Sequence, residues 1–87
     1  MGAVVFMKIE WDKKKREANL AKHNVDFLDV HELFESPFLC REDRRKDYGE
    51  KRGVAIGHVQ GRLMVAAYTV RNDVIRIISL RKGNSQP

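Results

Sequence analysis

The sequence predicts an α+β domain in which two N-terminal helices pack on a mainly antiparallel sheet, in the order β-α-α-β-β-β. Three features predict it. Strong helix formers run from Lys13 to His23 between Asp12 and Asn24. Phe27, Val30, Leu33 and Phe34 then recur at helical spacing. The last third holds strand-like runs separated by Gln60-Gly61 and Asn72-Asp73, pairs that suit two-residue hairpin turns. A length of 87 residues accommodates one domain over 1–87, with 1–6 read as an extension and 83–87 as a short tail.

Each element has a local reason. Phe6 to Trp11 alternates as a strand, with Phe6, Lys8 and Glu10 on one side and Met7, Ile9 and Trp11 toward the core. Asp12 supplies an N-cap oxygen for the first helix, and Asn24 suits a left-handed C-terminal residue. That helix has little apolar surface beyond Ala18, Leu20 and Ala21, so shallow docking assisted by Trp11 and Val25 is expected. Asp26 caps a second, shorter helix, with Asp29 in a capping-box-like position, and Pro37 ends it. Phe38-Leu39-Cys40 starts an edge strand, after which Arg41 to Lys51 reads as a solvated loop or distorted hairpin. Three strands follow, roughly Arg52–Val59, Leu63–Val70 and Val74–Arg81.

Two-residue turns fix the register of those strands. Arg52 falls opposite Thr69, which falls opposite Arg76, and Glu50 falls beside Arg71 in the next row. On this count the same face continues through Val54, Ala67 and Ile78 to Ile56, Val65 and Leu80, an apolar panel expected to form the core. The other face presents Gly53, Ala55, Gly57, Val59, Arg62, Met64, Ala66, Tyr68, Val70, Ile75, Ile77, Ser79 and Arg81, where small residues leave room beside Tyr68 and Arg81.

Charge narrows the partner. Lys and Arg number 17 against 12 Asp and Glu, a net charge of +5, which favours an anionic partner such as nucleic acid, an acidic protein or an anionic membrane. Arginines 71, 76 and 81 interrupt an otherwise apolar strand region, and Lys15, Asn19, Lys22 and His23 share one stripe of the first helix. The single Cys40 excludes an internal disulfide and a cysteine-based zinc site. No metal constellation, phosphate-cradling glycine loop or serine or cysteine nucleophile signature stands out, so no cofactor is expected. No apolar stretch approaches a membrane span, and a soluble cytoplasmic protein without membrane contact is the expectation.

The residues Ile9-Glu10-Trp11-Asp12, Lys15, Asn19, Lys22-His23, Val25 and Phe27, with Gly49-Glu50-Lys51-Arg52, Tyr68-Thr69, Arg71 and Ile75 to Lys82, resemble the BrnT family of bacterial toxins. The resemblance covers about residues 7 to 82. It implies a RelE-like α+β ribonuclease fold, RNA cleavage with growth arrest, and a hetero-oligomer with a BrnA-like antitoxin. Operator DNA would be met only through that antitoxin. The chain departs from the family at Gly83 to Pro87, where relatives continue into a charged segment, and Asn24 replaces a common glycine.

Cleavage by the RNA's own 2′-hydroxyl requires a base near that hydroxyl, positive charge around the phosphorane-like transition state, and a proton donor for the 5′-oxygen. Arg52 and Arg76 are assigned to the scissile phosphate, His23 or Glu50 to the proton roles, and Lys22, Arg81, Lys82 and Lys15 to RNA binding. The alternative is a catalytically inactive toxin-like module that binds an antitoxin and tunes operon DNA binding.

Overall fold

The computed structural model describes residues 8–35, 38–43 and 51–83. Strand β1 (Lys8–Trp11) leads into helix α1 (Lys13–His23), a 3₁₀ turn at Phe27–Asp29 and helix α2 (Val30–Glu35). Strands β2 (Phe38–Asp43), β3 (Lys51–Val59), β4 (Arg62–Arg71) and β5 (Val74–Lys82) follow. They form a mixed five-stranded sheet in the order β1-β5-β4-β3-β2, with β1 parallel to β5 and the other pairs antiparallel. The α+β class holds, and the strand beyond the β-α-α-β-β-β order is the edge strand expected to start at Phe38. Of the two readings of the run from Arg41, the hairpin fits its start, because Arg41, Glu42 and Asp43 stay extended and pair antiparallel with Val54, Gly53 and Arg52.

The local signals act as expected. The Asp12 carboxylate accepts from the Lys14 amide at 2.9 Å, and Asn24 closes α1 in the left-handed region at φ 59°. Asp26 accepts from the Leu28 amide at 3.1 Å. Its two carboxylate oxygens also receive Arg16 Nε at 2.8 Å and Arg16 Nη2 at 3.0 Å, so one aspartate caps the 3₁₀ turn and ties it to α1. Both hairpin loops have positive φ at both central residues, Gln60 and Gly61 in one, Asn72 and Asp73 in the other. That geometry matches the strand twist and sets the register of β3, β4 and β5.

The packed face of the sheet is the one the sequence reading assigned to open space. Val25, Phe27, Val30 and Leu33 bury themselves against Ala55, Val59, Met64, Ala66, Ile75, Ile77 and Leu80. The sequence reading took bulky strand residues as the mark of the core. Here the bulk comes from the helical segment together with Ile75, Ile77 and Leu80 of β5, while Gly53, Ala55, Gly57 and Ala66 are small and let that segment approach β3 and β4. A Cβ at Gly57 would meet Leu33 Cγ at 3.3 Å, and one at Gly53 would stand 2.6 Å from the Tyr68 hydroxyl. Phe34 packs edge-on to Phe38 and Tyr68, with ring centroids 5.1 and 5.9 Å away. The larger residues Val54, Ile56 and Val65 lie on the opposite face, half-buried and covered by no described element.

Helix α1 docks through a polar clasp. Its one buried residue is Asn19, while Leu20 remains 43% exposed. The Asn19 amide nitrogen donates to the Leu80 carbonyl at 2.8 Å and the Val25 carbonyl at 3.1 Å, and its oxygen accepts from the Leu80 amide at 3.1 Å. The pairing of β1 with β5 ends at Trp11 and Ile77, so Asn19 supplies to the next stretch of β5 the bonds a neighbouring strand would have made. Trp11 completes the docking region, edge-on to Phe27 at 6.1 Å.

One irregularity changes the faces. Tyr68 pairs with Ile77 but Ala67 pairs with Ser79, which leaves Ile78 as the extra residue of a β-bulge. Leu80 thereby turns into the core, where it is fully buried, and Ser79 and Arg81 turn to the uncovered face. The expected pairs Ala67 with Ile78 and Val65 with Leu80 are replaced by Ala67 with Ser79 and Val65 with Arg81.

Two outcomes are expected. Asn19→Ala leaves buried Leu80 backbone groups without partners and lowers unfolding stability by about 2 to 4 kcal/mol, read from the urea midpoint. Arg16 holds the Asp26 carboxyl below its usual range, with further help from the Leu28 amide. A depressed folded value makes this contribution complete above the unfolded pKa of about 3.9 and lost as pH falls through the folded value. Asp26→Asn, which retains a capping oxygen, is therefore expected to melt below the parent at neutral pH. That difference should close only under acid conditions.

Candidate functional site

The register runs one row across all five strands, beginning with Asp43 of β2 as the Cα partner of Arg52. Arg52 of β3, Thr69 of β4, Arg76 of β5 and Glu10 of β1 are successive Cα partners in one row on the uncovered face. Thr69 is 5% exposed between the two arginine positions, whereas Arg52 is half-buried and Arg76 exposed. The Arg52–Thr69–Arg76 row stands where turn counting placed it.

Glu10 is the member that sequence reasoning missed. Arg76 Nη1 donates to Glu10 Oε2 at 2.7 Å, with the side chains 50% and 38% exposed. At that exposure the ion pair contributes about 0 to 1 kcal/mol to stability. Glu10, Thr69, Arg71, Asn72, Val74 and Arg76 line a hollow of about 430 Å³. The alternation of the first strand did place Glu10 away from the core, but its partner depends on the non-local parallel pairing of β1 with β5.

Arg71 sits at the rim of this hollow, exposed and opposite Val74. Its expected neighbour Glu50 lies outside the described residues. The bulge brings Arg81 to the same face as Arg76, opposite Val65, where the sequence count had put it on the other side. Its guanidinium makes one long contact, 3.4 Å to the Lys82 carbonyl. Lys82 pairs with Met64 and therefore belongs to the opposite face.

The helical residues form a separate feature. Lys15, Ala18, Asn19, Lys22, His23, Ile78 and Ser79 line a groove of about 190 Å³ between α1 and the bulged edge of β5. Lys15 and Lys22 are exposed and His23 is half-buried. This groove meets the uncovered face at Ser79, whereas the arginine row lies farther along β5. His23 is thus beside the bulge and outside the row. Asn19, which shares its stripe, is consumed by the clasp to Leu80.

Chemically, the row offers guanidinium forks suited to a phosphate, a carboxylate beside one of them, and an apolar panel of Val54, Ile56, Val65 and Ala67. No described helix is long and apolar enough to cross a membrane.

The model of a family described as "Ribonuclease toxin, BrnT, of type II toxin-antitoxin system" matches residues 11–86. No curated protein matches the chain. The family match spans α1, α2 and strands β2 to β5, including every described arginine of the uncovered face. The chain belongs to the BrnT family of ribonuclease toxins of type II toxin-antitoxin systems.

Proposed function

We propose that this chain is a metal-independent endoribonuclease of RelE-like architecture that receives RNA on the uncovered face of its sheet. The observation that supports this reading most is the row Arg52, Thr69, Arg76, placed on the face that no described helix covers. Arg52 and Arg76 hold the scissile phosphate and stabilise the charge that grows on its oxygens in the transition state. Arg81, turned to the same face by the bulge, meets a flanking phosphate. Lys15, Lys22 and His23 extend the cationic track along the α1 groove, and Lys82 contributes from the far side of the strand end.

The partner follows from the family. A type II toxin is accompanied by an antitoxin, and a BrnA-like protein in a hetero-oligomer suits this role. Acting in the cytoplasm, the free toxin would arrest growth by cutting RNA, and its antitoxin would contact the operator DNA.

The test is an Arg52→Ala, Arg76→Ala double variant, shown to be folded by circular dichroism and incubated with RNA in the presence and absence of ribosomes. Cleavage is expected to fall about a hundredfold or more. A double variant that cuts at the parent rate would sink the assignment. Parent protein that binds RNA without cutting it would favour the inactive, antitoxin-holding module.

A further inference from the structure

We infer that Glu10 is the general base that activates the RNA 2′-hydroxyl, an inference that rests on the ribonuclease reading of the same face. The register row runs from Asp43 through Arg52, Thr69 and Arg76 to Glu10, and Glu10 is the carboxylate that pairs with Arg76. Of the other groups considered for proton transfer, His23 lines the α1 groove, and Glu50 falls outside the described residues. Glu10 also lines the hollow that holds Thr69, Arg71 and Arg76.

The geometry suits the role. The ion pair uses Arg76 Nη1 toward Glu10, so the guanidinium retains further N–H donors for a phosphate oxygen. A phosphate on those donors shares one guanidinium with the Glu10 carboxylate, which is the juxtaposition that a base for the adjoining 2′-hydroxyl requires. Arg76 then does two things, holding the anion and fixing the base. A carboxylate in an anion-binding row weakens ground-state attraction for RNA, a cost that a proton-accepting role in the transition state offsets.

The step balances without a cofactor. Glu10 removes the proton from the 2′-hydroxyl, the 2′-oxygen bonds to phosphorus, and the bond from phosphorus to the 5′-oxygen breaks. The leaving oxygen takes a proton from water, giving a 2′,3′-cyclic phosphate and a 5′-hydroxyl, and Glu10 returns its proton to solvent. Among the described residues, Lys8, two residues earlier on the same side of β1, and Arg71 at the rim are further charged groups on this part of the sheet face.

Glu10→Gln preserves shape and an acceptor for Arg76, so a purely structural pair would survive it. The variant is compared with the parent on a short labelled single-stranded RNA of mixed sequence. A second substrate carries a bridging 5′-sulphur at the bond the parent cuts. Glu10→Gln is expected to lower kcat about a hundredfold or more, with RNA binding unchanged or tighter. The sulphur leaving group, which needs no proton, should leave that deficit in place. Glu10→Asp, which keeps a retracted carboxylate, should fall between the two. A Glu10→Gln kcat within about threefold of the parent, a loss confined to KM, or rescue by sulphur each overturns the assignment. Failure of the parent to cut any RNA removes the ribonuclease reading and the base together, whereas an active parent with an active Glu10→Gln removes the base alone.

Discussion

The three hydrogen bonds of the Asn19 amide are the constraint on which the arrangement of this domain turns. Strand β1 covers β5 only to Ile77, and the next residues of β5 would otherwise expose buried backbone groups. Asn19 meets the amide and carbonyl of Leu80 and so holds a helix with almost no apolar face against the strand. The same stretch contains the bulge at Ile78, which reverses the side on which every later residue of β5 falls. Leu80 enters the core, and Arg81 joins Arg76 on the opposite face. A helix clasp and a chemical surface are thus set by one segment of backbone.

The two faces of the sheet divide the labour by residue size. Gly53, Ala55, Gly57 and Ala66 form a floor low enough for Phe27, Leu33 and Phe34 to reach it, and full burial of Phe27 and Leu33 contributes roughly 1.5 to 3 kcal/mol each. The uncovered face keeps β-branched residues, which shape a pleated surface, together with the exposed Arg71, Arg76 and Arg81 and the half-buried Arg52. Leu39, 75% exposed on β2, extends the apolar part of that face toward its edge.

The caps at Asp12, Asn24 and Asp26 were legible because each depends on a few adjacent residues. So were the turns at Gln60-Gly61 and Asn72-Asp73, and with them the Arg52–Thr69–Arg76 row. Local chemistry determines all of these. The packed side of the sheet was not legible, because Val54 and Ile56 look more like core than Gly53 and Ala55 until a bulky helical layer is brought against them. Arg81 was misplaced because a bulge has no signature in an alternating run such as Ile75 to Arg81. Glu10 escaped notice because its partner is 66 residues away in a parallel pair, a contact no local pattern announces. The extension of β2 through Arg41, Glu42 and Asp43 was only half legible, because charge suits a loop and an edge strand alike.

The central claim is that the bulged, helix-free face of the sheet is where RNA binds. Its most direct measurement is an amide chemical-shift titration of the intact protein with single-stranded RNA methylated at the 2′-oxygen, which cannot cut itself. Shifts should concentrate at Thr69, Arg76, Ser79 and Arg81, with Glu17 on α1 and Leu28 in the 3₁₀ turn silent. Shifts gathered on the helical side, with the Arg52–Thr69–Arg76 row unmoved, would contradict it.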